Sequence, residues 1–404
     1  MGNFRSFALK SAVLAVLVMG PVGVAPAIAD EGTGSTPQVS EFVPPIVGLP
    51  YVGSELTLGI AQFQKCKTED APNGFVLEWL SNGDPLPAER QGEFLKLIPE
   101  DRGNRISMVV HTTCETPKVF HSRETPPIEA SNRAMGWTGR GNFELLGRTN
   151  DGDLVLYPRT YEPKWIYWGP GTELLQFPSS WDEPRVVGTG WNIFDIVFSP
   201  GDFDGDGNND VLGRDATGNL HLYPGDGDGG WLPPKQVGSG WNIFDSIVGP
   251  GDFNGDGIND VLARDRSGNL HLYPGDGTGG WLAPSRVGSG WQIFDKIIAA
   301  GDSTGDGTPD IFARDRSGFL YQYPTNGHGG WNPPLWVGHG WGEMTEISSA
   351  GPYTKAYNTS RNDLIAYNHD GDLFLYANIG VDGDYSLFNQ GQPGTGWDIF
   401  KDLI

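Results

Sequence analysis

The sequence predicts an all-β chain: a five-bladed β-propeller closed by its C-terminal strand, preceded by a β-sandwich module. Three observations predict it. Units beginning GDFDGDGNND, GDFNGDGIND and GDSTGDGTPD start at Gly201, Gly251 and Gly301, a spacing that suits a four-stranded blade. Gly 60 and Pro 31 coexist with 14 Trp and 12% aromatic residues, which marks turn-rich folded structure rather than disorder. The 404 residues are material for two or three domains.

The chain opens on an export address. Arg5 and Lys10 give a basic start, Ala12 to Met19 is apolar, and Ala27-Ile28-Ala29 is a small-x-small cleavage site. Residues 1–29 read as a secretory signal peptide, too short in its apolar run to span a bilayer. The mature protein is expected to be secreted and extracellular, with no membrane insertion. Residues 30–38 form a linker. The two cysteines, Cys66 and Cys114, are expected to form a disulfide in that oxidising compartment.

Residues 39–130 have their own texture. Short alternating runs such as Phe75-Val76-Leu77-Glu78-Trp79 and Ile106-Ser107-Met108-Val109-Val110 are separated by Asn- and Gly-containing turns, as in a β-sandwich. The order Cys66, Trp79, Cys114, with the segments VGSELT from Val52 and WLSNG from Trp79, resembles bacterial immunoglobulin-like modules of secreted proteins. That resemblance implies a spacer, or a docking module for a protein partner.

Residues 131–404 carry the repeat. In the unit at Gly251, strands are expected at 245–248, 260–264, 269–273 and 285–287, with Asp265-Arg266-Ser267-Gly268 as a hairpin whose glycine takes positive φ. Worn copies at Asn142 to Pro158 and Asp363 to Tyr376 raise the count to five. The first unit lacks an opening strand, and the chain ends on a spare one, Asp398 to Ile404. Pairing the two leaves no unpaired edge.

The loop GDFNGDGIND followed by VLARD resembles the FG-GAP or VCBS repeats of integrin-type propellers and of secreted bacterial proteins. The segment VGSGWNIFDSIV resembles the blade motif of tachylectins, five-bladed lectins that bind N-acetylated hexosamines between blades. The resemblance covers about 270 residues, and it implies blade architecture first and a glycan ligand second.

The acidic loops point to calcium. Asp202, Asp204, Asp206 and Asp210 hold positions 1, 3, 5 and 9, with the carbonyl of Asn208 at position 7. The second copy is Asp252, Asn254, Asp256, the Ile258 carbonyl and Asp260; the third is Asp302, Thr304, Asp306, the Thr308 carbonyl and Asp310. Alternating hard oxygens around glycines suit Ca²⁺, so about three structural ions are expected.

Fifty acidic against 27 basic residues give a net charge of −23, which excludes nucleic acid as a partner by repelling phosphate. No nucleophile elbow, metal-hydrolase helix or phosphate loop is present, so no enzymatic activity is expected. Aromatic side chains can stack on sugar rings. Trp191, Trp241, Trp291, Trp341 and Trp397 recur in every unit and serve either packing or a ligand. Trp231, Trp281 and Trp331 follow Gly-rich loops, and the same two roles stand open for them. The tachylectin resemblance nominates Trp191 with Asn192, Trp241 with Asn242, and Trp291 with Gln292, beside Asp265 and Asp315 of the following hairpins. An aromatic insertion in the first unit, Tyr161 to Trp181, is either an extra hairpin or a contact surface.

The resulting expectation is a secreted, calcium-stabilised, lectin-like propeller for N-acetylated glycans of a cell wall or chitin, where repeated weak sites gain avidity. Alternatives are a protein-binding adhesion or scaffold propeller, including a targeting subunit of a secreted antibacterial toxin particle, and an accessory domain of a secreted hydrolase.

Overall fold

A computed structural model describes residues 43–59, 71, 74–141, 143–168, 171–349, 351, 361–378, 387–389 and 394–404, without the side chains of 160–181 and 388–389. The expected signal peptide and linker, and Cys66, lie outside the described residues. Cys114 is not a free thiol.

Among the described residues every sheet is antiparallel. In the N-terminal part a three-stranded sheet (Ile46–Val47, Glu55–Leu58, Phe94–Lys96) faces a four-stranded one (Asp84–Pro85, Phe75–Ser81, Ile106–Thr112, Val119–His121). Alternation in Phe75–Ser81 turns Leu77 and Trp79 inward, onto Leu56, Leu95, Ile106, Met108 and Val110. Trp79 is fully buried, and its indole Nε1 still donates to the Gly92 carbonyl at 2.9 Å, which removes the cost of burying that donor.

The repeat region forms five four-stranded sheets among the described residues. The second runs Phe194–Gly201, Asp210–Asp215, Leu220–Tyr223, Lys235–Gly238; the third runs Phe244–Gly251, Asp260–Asp265, Leu270–Tyr273, Ser285–Gly288. The fourth is Phe294–Gly301, Asp310–Asp315, Leu320–Tyr323, Leu335–Gly338, and the fifth is Met344–Ser349, Leu364–Asn368, Leu373–Asn378, Leu387–Asn389. The first sheet combines Leu145–Thr149, Leu154–Tyr157 and Arg185–Gly188 with Phe400–Leu403 from the end of the chain. In that pairing Phe400 lies opposite Thr149 and Leu403 opposite Gly147, and the Ile404 N–H donates to the Leu146 carbonyl at 2.8 Å. The aromatic insertion is a hairpin of Arg159–Trp168 with Gly171–Trp181.

Alternation along each strand gives every sheet two apolar faces, and separate buried clusters join first to second, second to third, third to fourth, fourth to fifth, and fifth to first. A polar staple repeats between them. Arg264 in the third sheet donates Nη1 to the carbonyls of Trp291 and Phe294 ahead of it, at 2.9 and 2.7 Å, while its Nε binds Asp245 at 2.7 Å. Arg148, Arg214 and Arg314 reach Phe194, Phe244 and Met344 in the same way. In the fifth sheet Tyr367 takes the arginine's place, its hydroxyl donating to the Phe400 carbonyl at 2.6 Å. Strands Phe194–Gly201, Phe244–Gly251, Phe294–Gly301, Met344–Ser349 and Phe400–Leu403 line one pocket together with Arg133.

Candidate functional site

Two opposite ends of these sheets carry the tiled polar residues. At one end lie the acidic loops between first and second strands; at the other lie the hairpins between second and third strands and the Gly-Trp turns.

In the first loop, Asp202 accepts from the N–H groups of Gly205 and Gly207 at 2.7 and 3.1 Å, and Asp210 accepts from Phe203, Asp204 and Gly225. Glycine is required here, because Gly205 and Gly207 have φ of 83° and 94°. Oxygens of Asp202, Asp204 and Asp210 converge within 4.8 Å of one another. Asp204 Oδ1 is buried with no hydrogen-bond partner among the described residues. Burial pushes Asp202 up to about 7 and Asp210 up to about 8, and the neighbouring carboxylates push the same way. An orphaned buried oxygen among mutually repelling carboxylates is the donor set that a hard divalent cation satisfies.

The second and third loops keep the frame and weaken the donor set. Asp252 and Asp260 accept from loop N–H groups as their counterparts do, and burial raises Asp260 to about 8. Asn254 stands at the third position, its amide turned toward Asp260 at 3.5 Å. In the third loop burial raises Asp302 to about 6 and Asp310 to about 7. Thr304 replaces the carboxylate, and Asp310 already receives the Ser303 hydroxyl at 2.9 Å. Asp206, Asp256 and Asp306 accept from the N–H of Asn208, Ile258 and Thr308 respectively.

This end is covered by the N-terminal module and the segment after it. The Ser131 carbonyl accepts from the Asp202 N–H at 2.9 Å and from Asn259 Nδ2 at 2.8 Å. Asn209 Nδ2 holds the carbonyls of Asn132 and Gly136, both at 2.7 Å. A side chain at Gly207 would meet Pro99 and Val52. Asn209 and Asn259 are not among the residues the sequence nominates; their repetition just before the last aspartate is the signal that marks them.

At the opposite end the tryptophans sit differently from the sugar platforms nominated above. Trp191, Trp241, Trp291, Trp341 and Trp397 are buried core residues. Trp241 packs on Tyr273 at 4.6 Å and Trp281 at 5.1 Å between ring centroids, and its N–H donates to the Gly218 carbonyl of the preceding sheet. The space beside the indole is closed as well: a Cβ at Gly238, three residues earlier, would strike the Trp241 indole nitrogen. Trp231, Trp281 and Trp331 are half-buried, each donating Nε1 to a valine carbonyl of the previous sheet, as Trp281 does to Val237 at 2.8 Å. Both sets are inter-sheet packing.

Asn192, Asn242 and Gln292 are exposed beside exposed Ile193, Ile243 and Ile293. Each amide lies over the hairpin of the preceding unit, Asn242 over Gly218 and Gln292 over Gly268. Asn242 therefore sits between two hairpins: its amide lies over Gly218 of the preceding one, and its carbonyl accepts from Arg266 Nη2 of the Asp265 hairpin at 3.3 Å. Gln292 lies over the Asp265 hairpin, and the Asp315 hairpin neighbours Gly342. The turn precedes its inner strand, so it meets the hairpin of the previous sheet as well as that of its own, as the Asp398 carbonyl does in accepting from Asn150 Nδ2 at 2.9 Å. Asp265 accepts from the N–H of Ser267 and Asn269, from Asn269 Nδ2, and faces His271 Nε2 at 3.1 Å. Asp215, Asn219 and His221 repeat that cluster.

The family model described as FG-GAP-like repeat matches residues 202–263 and 252–313. No curated protein matches the chain. Among solved structures it is similar to the BP39L lectin from Burkholderia pseudomallei, at 17% identity over 70% of this chain and 80% of that one, with a TM-score of 0.39. A lectin from Agrocybe aegerita, described as recognising non-reducing terminal N-acetylglucosamine, is 15% identical over 89% and 92% of the two chains, with a TM-score of 0.37. An AofleA variant from Arthrobotrys oligospora is 14% identical over 72% and 83%, with a TM-score of 0.37.

Proposed function

We propose that this chain is a secreted glycan-binding protein. Its five sheets are the blades of a closed propeller, and its N-terminal module is immunoglobulin-like, with a Cys66–Cys114 bridge. The propeller presents its hairpin end to N-acetylated glycans of a cell wall or other polysaccharide surface. One observation carries this reading: the module and its following segment cover the acidic-loop end, so the hairpin end is the tiled surface left open. That open end repeats exposed amides and carboxylate hairpins, which suit sugar hydroxyls.

Calcium belongs to the covered end. Asp202, Asp204 and Asp210 would hold it in the first loop, Asp252, Asn254 and Asp260 in the second, and Asp302, Thr304 and Asp310 in the third. The ion supplies positive charge that keeps buried carboxylates ionised, and the role is structural. The first loop is the strongest of the three, since it alone offers three converging carboxylates among the described residues.

The test is a glycan array together with retention on insoluble chitin and peptidoglycan, with and without chelator. Sugar-dependent retention supports the reading; a parent protein that ignores every glycan refutes it. A protein-binding scaffold is the second reading, favoured by exposed Ile193, Ile243 and Ile293, and sugar-independent capture of a defined protein partner would establish it.

A further inference from the structure

The fourth sheet departs from the second and third on one face, and the departure is chemically coherent. In the second and third sheets the hairpin aspartate is flanked by Asn219 with His221, and by Asn269 with His271, and the cross-strand partner of the histidine is Gln236 or Arg286. The fourth sheet has Phe319, Tyr321 and Trp336 in those places, with Tyr321 directly opposite Trp336. Residues two apart on one strand share a face with the cross-strand partner, so the three rings are neighbours. Phe319 is 38% and Trp336 59% exposed, and Trp336 stacks on exposed His339 with centroids 6.5 Å apart and planes at 28°.

The replacement also frees a carboxylate oxygen. Asp215 and Asp265 spend Oδ2 on the asparagine amide, at 3.1 and 2.9 Å, and each faces its histidine at 3.1 Å. Asp315 keeps only the hairpin bonds to Oδ1, from the N–H groups of Ser317 and Phe319. Among the described residues no hydrogen bond or ion pair reaches Asp315 Oδ2.

We infer that this face of the fourth sheet is a sugar-binding site, in which a neutral pyranose ring stacks on Trp336 and Phe319 while Asp315 accepts from its hydroxyls. The inference rests on the glycan-binding reading and assigns it a location. Blade packing does not call for these rings, because two sister sheets fold with polar residues there. The occupant is small. The two exposed rings offer roughly 200 Å², against about 800 Å² per partner in a stable protein interface. The occupant is also uncharged or cationic, because the bare carboxylate repels phosphate and uronate groups.

The experiment uses the full mature chain and insoluble chitin as probe. The triple variant Phe319→Asn, Tyr321→His, Trp336→Gln installs the residues of the second sheet, so its fold has a working precedent within the same chain. Trp336→Gln alone is the second variant should the triple one melt early. Retention of either variant reduced at least about tenfold, with an unchanged melting temperature, supports the site. A folded variant retained as tightly as the parent overturns the site and leaves the glycan reading standing. A parent that binds neither chitin nor any glycan of an array overturns both. A concentration-dependent dimer of the parent that becomes monomeric in the variant overturns the sugar site in favour of self-association.

Discussion

Asp402→Ala is the sharpest probe of the C-terminal strand. Asp402 holds the Arg148 guanidinium at 2.7 Å from Nε and 2.5 Å from Nη2. The arginine side chain is 0% exposed and the aspartate 31%. Removing one partner of a buried pair costs about 3–5 kcal/mol, because the other charge stays in the interior uncompensated. Arg148 still donates to the carbonyls of Trp191 and Phe194 at 3.1 and 2.6 Å, which places the expected loss near the lower bound, about 3 kcal/mol. For a domain of this size about 2–4 °C of melting temperature goes with each kcal/mol, so a fall of roughly 6–12 °C is expected. Asp195→Ala is the internal control. Its arginine, Arg214, is 8% exposed and the aspartate 49%, so solvent relieves the loss and about 1 kcal/mol is expected. Scanning calorimetry of the two variants reads the difference directly. Equal, small shifts would mean that Phe400–Leu403 is not seated on Leu145–Thr149, and the five-blade reading would fall with it. Deletion of 398–404 is the limiting case and should leave an aggregating chain.

Four further outcomes follow from the sites described. Chelation should lower the melting temperature, Asp204→Ala should abolish calcium binding to the first loop by calorimetry, and a hundredfold excess over Kd is worth about 2.7 kcal/mol per site. In chelator, stability should fall as pH rises from about 6 to about 8: Asp202, Asp210, Asp260, Asp302 and Asp310 have folded values raised above the unfolded range by burial, so the folded state holds protons that the unfolded state has released. Saturating calcium should flatten that slope, and melts across the range check it. Trp241→Ala should cost about 3–5 kcal/mol as a cavity in the core, and glycan retention measured well below its melting point should be unchanged. Asn259→Ala leaves the buried carbonyls of Ser131 and Asp202 each short of a donor, so proteolysis around 131–136 should accelerate, read by timed digestion.

The repeat made the sheets legible, because a tiled hairpin such as Asp265 to Gly268 sets strand ends through glycine φ and local carboxylate bonds. The spare strand at 398–404 was legible for the same reason: a missing element and a surplus one had the same pattern. The two-sided seat of each Gly-Trp turn was not. Asn242 meets the hairpin before it through its amide and the hairpin after it through its carbonyl, and a periodic sequence does not show that one turn serves both. The arginine staple was hidden by its own context. Arg264 stands in an alternating run beside Asp265, and the neighbour in sequence is not its ion-pair partner; Asp245 is. The covering of the acidic loops was equally hidden, since it depends on Asn209 and Asn259 reaching a segment over 70 residues earlier.

Tiling itself sorts these residues by role. A side chain present in every unit answers a demand that every blade shares, and the structure meets that demand inside: the Gly-Trp tryptophans are buried, and the arginines bridge one sheet to the next. The rings of the fourth sheet obey the opposite logic, because a blade that folds with Asn, His and Gln at three surface positions gains nothing in packing from Phe, Tyr and Trp there. Exposing two large rings raises the cost of solvation and the risk of association, and leaving Asp315 Oδ2 without the amide its counterparts bind forgoes a local hydrogen bond. Both changes work against the isolated blade and both occur on one face of one sheet. A ligand that stacks on the rings and donates to the carboxylate offsets the two together.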